Sequence, residues 1–330
     1  MKVWLLPIEP FEERYTADWL RWWPQDLRAA GLDVEVVCGT DGAGERKAGE
    51  WLDPCATWVW KGTQTAALAA CWSRIEDGDV ILSLDGWGPA TTAALYMRAT
   101  TGKQVRVVVF MHAGAFDPHD FLTRSGCSPW ALHVERGWVT GADLVLCGSE
   151  HACDLMRRHL WAGVRCAPVG YPIKQHELAR FSTPWNERAP LVLFPHRLAP
   201  EKGLNEWDEI VRVYGERYPD KSVQFVRSRD VYTGKDSLYE WMGRSRVVVS
   251  CARQETFGIA MQEAVALGAH PVCPDRLCYS EVMRGAGSLY RSISEAVDQI
   301  HAALSADNPA PWDGWHDVAV ARAAHALRSL

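Results

Sequence analysis

The 330-residue chain is 48% hydrophobic and 23% charged, with a formal net charge of −6, as expected of a globular protein of about two domains. No apolar run approaches the roughly 18 residues that cross a bilayer, and the start Met1–Pro7 is too short for a signal peptide, so a cytoplasmic protein with no membrane partner is expected. The acidic balance excludes recognition of a polyanion by overall basicity, and the ten cysteines, scattered without a C-x-x-C pair, read as free thiols and not as a disulfide framework or zinc site.

Lys2–Pro7 is a short apolar run. Thr16–Ala30 has helical spacing closed by Gly31, with Trp19, Trp22 and Trp23 as a core-facing aromatic stripe, and Val34–Cys38 reads as the next strand. The rhythm continues with Val80–Leu84, Val105–Phe110 and Leu144–Cys147. Apolar strands alternating with helix-length stretches imply a parallel sheet covered on both faces. A Pro-rich passage from Pro168 through Pro184 and Pro190 interrupts the pattern, which restarts with Leu191–Phe194, Val223–Val226, Val247–Ser250 and His270–Cys273. The expectation is an α/β protein of two Rossmann-like domains facing across a cleft: 1–172, a linker at 173–190, and 191–330. The helical tail, beyond Pro309 and Pro311, is expected to cross back onto the first domain.

The densest constellation is Glu255-Thr256-Phe257-Gly258-Ile259 followed by Glu263, where a strand runs into a turn and a helix opens near Gly258. Unpartnered N–H groups and the helix dipole at such an end suit a diphosphate, and Gly258 permits close backbone approach. Glu255 in the loop and Glu263 inside the helix suit sugar or ribose hydroxyls. After the preceding strand, Arg197 and Lys202 share one loop and supply a fork and a point charge to the same anion.

These motifs resemble the retaining GT-B glycosyltransferases of the glycogen-synthase-like group, glycosyltransferase family four. The resemblance runs from about Leu191 to Met283. It implies that Arg197 and Lys202 bind the donor diphosphate, that Glu255 contacts the transferred sugar, and that Glu263 holds the nucleotide ribose. It also implies a nucleotide-diphosphate hexose as donor, a UDP-sugar such as UDP-glucose ahead of a GDP-sugar, with no tightly bound cofactor and no metal. His112, after a first-domain strand, matches the position at which the group places a histidine near the transferred sugar.

A narrower similarity, carried by His196–Lys202, Gln254–Val265 and Cys273–Glu281, is to tRNA-queuosine mannosyltransferases and to viral enzymes that glycosylate hydroxymethylpyrimidines in DNA. It implies transfer to a modified nucleobase, DNA carrying 5-hydroxymethylcytosine ahead of queuosine tRNA. A small-molecule or glycan acceptor is the next enzyme reading, and a nucleotide-sugar or nucleic-acid binding module without turnover is the non-enzyme one. Acceptor candidates are Glu9 and Arg14 in the first loop, Asp85 and Trp87 after a strand, and Asp117, His119 and Asp120. The first loop lacks the Gly-Gly turn common in GT-B enzymes, and Thr16 is expected to cap the following helix. Asp77-Gly-Asp79 precedes its strand and reads as a turn, not a metal site.

Overall fold

Val80–Ser83 is buried along its whole length, as a strand covered on both faces must be. The same holds for Leu144–Cys147, in a computed structural model that describes every residue except Glu13, 42–53, Ser125, 220–221 and 308–313. The chain forms two units, Met1–Pro172 with Asp317–Leu330, and Ile173–His316. Residues 173–190 thus belong to the second unit. Pro309 and Pro311, read as breakers, lie outside the described residues.

In the first unit the strands are β1 (Lys2–Leu6), β2 (Asp33–Val36), β3 (Val80–Ser83), β4 (Arg106–Phe110), β5 (Leu144–Cys147) and β6 (Cys166–Pro168). They pair in the order β2-β1-β3-β4-β5-β6, all parallel. The major helices are α1 (Tyr15–Ala29), α2 (Pro54–Cys71), α3 (Pro89–Thr101), α4 (Ser128–Gly141) and α5 (Glu150–His159). Trp19 and Trp23 of α1 are buried at 1% and 0% exposure and both pack on Phe110; buried aromatics of this size remove about 150–250 Å² each from water. The Thr16 hydroxyl accepts from Phe11 N at 3.0 Å while Arg14 is the N-cap residue of α1, so Thr16 ties down the loop before the helix and does not cap it.

The second unit has β7 (Ala189–Phe194), β8 (Gln224–Arg227), β9 (Ser245–Val249), β10 (His270–Pro274) and β11 (Ser288–Tyr290), in the order β11-β10-β9-β7-β8 and again all parallel. Its longer helices are α6 (Leu204–Arg217), α7 (Lys235–Arg244), α8 (Ile259–Ala266) and α9 (Ile293–Leu304). The last helix, α10 (His316–Arg328), is fastened to first-unit carbonyls: Arg322 donates to Pro168 O at 3.2 Å, and Arg328 to Ala30 O.

In each sheet the strand order reverses once, between β1 and β3 in the first and between β7 and β9 in the second. Loops leaving the carboxyl ends of such neighbours turn opposite ways and open a crevice, which is where open α/β sheets bind ligands. The nine described cysteines are free, and no helix among the described residues is long and apolar enough to cross a membrane.

Candidate functional site

At the second sheet's reversal, the loop after β7 carries Arg197 and Lys202 and the loop after β9 carries Glu255. Gly203 makes their close approach possible. Its φ is +74°, and a Cβ there would come within 2.1 Å of the Cys251 carbonyl oxygen. Arg253 N donates to Glu201 O at 2.8 Å, joining the two loops. Lys202 Nζ lies 3.1 Å from Glu255 Oε2 and also donates to Gln254 O at 3.0 Å. Burial works to raise the Glu255 carboxyl, but the Lys202 ammonium, the His196 ring and the hydrogen bonds from Lys202 and Gly258 outweigh it and hold the group at about 2.

Helix α8 begins after Gly258, which is left-handed at φ 76° and would bring a Cβ to 3.1 Å from the Tyr279 ring. The first N–H groups of the helix therefore sit beside the Lys202–Glu255 pair, an arrangement that can hold an anion through backbone donors and an ammonium. Glu263, one turn further, accepts from Tyr239 Oη at 2.8 Å. Arg197 is half-exposed and bonds Glu201 Oε1 at 2.5 Å. Phe257 is fully buried and packs edge-on against Trp315, so it anchors the loop and is not a contact surface; Thr256 is buried too, its N–H donating to Glu255 Oε1, and Ile259 is partly buried.

Behind the pair runs a buried hydrogen-bond chain that the linear sequence did not reveal. His196 Nε2 meets Ser250 Oγ at 2.9 Å, and Ser250 Oγ meets Tyr279 Oη at 2.6 Å. Burial first, then Lys202, pushes His196 down to about 3, so it is a neutral strut. Arg276 donates to Ala252 O and Cys251 O, each at 2.9 Å, and pairs with Glu206 at 2.9 Å. It clamps the loop, while Asp275 pairs with Arg291 at 2.7 Å.

In the first unit, the loops after β1 and β3 bring Glu9 and Asp85 to either side of Lys61 on α2, at 3.6 and 3.3 Å. Lys61 was not anticipated, although its spacing from Gln64 and Leu68 places it on the buried face of α2. Trp87 N donates to Asp85 Oδ1 at 3.0 Å, and the Trp87 indole donates to Glu135 Oε1 at 3.1 Å. Glu135, also unanticipated, accepts from Ala115 N at 2.8 Å and Phe116 N at 3.1 Å; burial pushes it up to about 7. His112 is stacked on Phe110, with Nδ1 3.1 Å from Tyr171 Oη and Nε2 2.6 Å from Leu84 O. The Leu84 carbonyl can only accept, so Nε2 carries the proton and Nδ1 accepts from Tyr171. Burial depresses its pKa, which keeps the ring neutral.

Of the remaining acceptor candidates, Arg14 acts on Glu9 and Asp120 on Glu135 through charge. Asp117 and Asp120 are buried and accept from the backbone of His119 and Leu122, each at 2.9 Å, as turn residues. His119 is exposed, and the Arg14 guanidinium lies 5.9 Å from the Phe11 ring. Asp79 of the D-x-D sequence accepts from Lys2 N and the Trp4 indole, the structural role expected. No group of side chains among the described residues is arranged to hold a metal ion.

No family model matches the chain. Among solved structures, it is similar to sucrose-phosphate synthase from Thermosynechococcus elongatus, with TM-score 0.61 and 14% identity over 100% of this chain and 95% of that one. The chain has the GT-B fold. The α,α-trehalose 6-phosphate synthase of Burkholderia multivorans is another GT-B neighbour, at TM-score 0.57 and 14% identity over 99% of this chain and 95% of that one. A trehalose-6-phosphate protein from E. coli bound with UDP-2-fluoro glucose aligns at TM-score 0.58 and 13% identity, over 100% of this chain and 95% of that one.

Proposed function

We propose that the protein is a retaining, metal-independent glycosyltransferase that takes a hexose from a nucleotide-diphosphate sugar. The observation that carries this reading is the Lys202–Glu255 pair at 3.1 Å beside the start of α8, at the reversal point of a GT-B second sheet. The helix start and Lys202 receive the diphosphate, Arg197 swings from Glu201 to join them, Glu255 meets the sugar, and Glu263, steadied by Tyr239, meets the ribose. Charge developing on the departing phosphate is stabilised by these preset donors and cations. The neighbour bound with UDP-2-fluoro glucose favours a UDP-sugar, glucose first, with a GDP-sugar next.

The acceptor is proposed to be a hydroxyl on a modified nucleobase, 5-hydroxymethylpyrimidine in DNA ahead of queuosine in tRNA. This rests on the motif similarity and on Trp130, 61% exposed and 5.7 Å from Trp87 between ring centroids, a free indole face suited to stacking a planar base. A small sugar acceptor is the second reading, favoured by the sugar-phosphate synthases among the structural neighbours. Incubation with UDP-glucose or GDP-mannose and hydroxymethylcytosine DNA, hydroxymethyluracil DNA or queuosine tRNA, followed by nucleoside mass analysis, tests it. A hexose added to one nucleic acid is the expected result. Transfer to small sugars with no mass shift on any nucleic acid overturns the acceptor class.

A further inference from the structure

The reversal point of the first sheet holds a buried charge cluster that donor binding leaves unused. Glu9, Lys61 and Asp85 have side-chain exposures of 10%, 12% and 17%. Lys61 Nζ is directed at both carboxylates and at the Trp87 carbonyl, 3.4 Å away. Both Asp85 oxygens have partners, Oδ2 on Lys61 and Oδ1 on Trp87 N. Glu9 is different: its Oε1 faces Lys61, and its Oε2 is buried with no hydrogen-bond partner. A buried carboxylate oxygen without a donor is costly, and one kept at a sheet's reversal point is set to receive a donor from a ligand.

We propose that Glu9, Lys61 and Asp85 form a subsite that selects an acceptor by a neutral hydroxyl and rejects a phosphate, with Glu9 Oε2 accepting the hydroxyl's hydrogen bond. The inference rests on the glycosyltransferase reading and narrows its acceptor. Two carboxylates against one ammonium leave the cluster with an excess negative charge, and a phosphate would bring only further negative charge and acceptor oxygens. The Lys61 donors are already spent inside the cluster. Arg14, the other cation whose charge reaches Glu9, has its guanidinium 5.9 Å from the Phe11 ring. Lys61 is a positioning residue: it lies between the two carboxylates and opposes part of the burial that raises the Glu9 pKa.

Calorimetric titration of the full chain, with UDP present, tests the subsite with glucose, glucose 6-phosphate and 5-hydroxymethyl-2′-deoxycytidine as probes. At least one neutral probe is expected to bind, glucose 6-phosphate about tenfold more weakly than glucose, and the isosteric Glu9→Gln variant to bind the neutral probe about tenfold more weakly than wild type. Near-ultraviolet circular dichroism checks that the variant folds. Burial raises the Glu9 pKa and Lys61 opposes it, with Asp85 and Arg14 the other charges acting on the group, so Lys61→Met moves the pH midpoint below which the probe is lost further upward. Glucose 6-phosphate binding as tightly as glucose, full affinity in Glu9→Gln, an unmoved midpoint in Lys61→Met, or UDP binding with no neutral probe binding overturns the subsite alone. Absence of UDP and UDP-glucose binding to the wild-type chain overturns the glycosyltransferase reading, and the subsite with it.

Discussion

Lys202 and Glu255 pair with each other at 3.1 Å, so on the proposed function a donor diphosphate competes with a carboxylate for the ammonium. Lys202→Ala and Glu255→Gln should each lower UDP-sugar turnover about a hundredfold, the scale of losing a preset charged group beside a leaving group; initial rates near wild type in folded variants would remove both residues from the reaction. Glu135 makes a separate, pH-dependent prediction. Its folded pKa is raised to about 7 from 4.5, so the folded state binds the proton more tightly than the unfolded chain. That contribution, on the order of 3 kcal/mol, is fully present below pH 4.5 and lost as pH rises through 7. Urea titrations should show this decline in the wild type and a flatter profile between those values in Glu135→Gln. Glu255 runs the other way, contributing above 4.5 and losing its contribution as pH falls toward 2. The residues legible in the sequence were those that share one loop or one helix start, such as Arg197 with Lys202 and Glu255 with Glu263. Lys61, Glu135 and His196 were not, because what makes each notable is a partner 20 to 54 residues away: Asp85, Ala115 and Ser250.

At the scale of elements, the loop between β7 and α6 is held by shape as much as by charge. Gly203→Ala has to bring a Cβ onto the Cys251 carbonyl and also occupy a left-handed backbone, costs that add. The variant is expected to lose several degrees of melting temperature and most of its affinity for UDP; wild-type UDP affinity would show that the two loops can separate without consequence. The same scale explains which strands were readable. Continuous apolar runs such as Leu144–Cys147 and Leu191–Phe194 identified themselves. The edge strands β6 and β11 did not, being three residues each and only partly buried for the most part, too short for any periodicity. Cys166–Pro168 was further disguised because it runs into the Pro-rich passage that begins at Pro168. Helix α1 was readable through its tryptophans, but the role of Thr16 depended on Phe11 folding back toward it, a loop geometry that no spacing encodes.

For the molecule as a whole, a ligand that binds only the folded state raises stability by mass action, about 2.7 kcal/mol at a hundred times its dissociation constant. Scanning calorimetry should therefore show a UDP-dependent rise in melting temperature that is absent in Lys202→Ala; a rise of the same size in that variant would place nucleotide binding elsewhere. The two-sheet plan was visible from the strand rhythm, whereas the strand order was not, since hydrophobic runs do not say which neighbours pair. That order has a consequence for how such a protein changes over time. Each reversal point draws its chemistry from loops that are adjacent in the sheet but far apart in the chain, Glu9 with Asp85 and Lys202 with Glu255. Substitutions in one loop pair can retune the ligand of that unit while the buried strands beneath, and the loop pair of the other unit, keep their sequence. On the proposed function, donor and acceptor preferences are then separable traits, open to selection or to laboratory recombination one at a time.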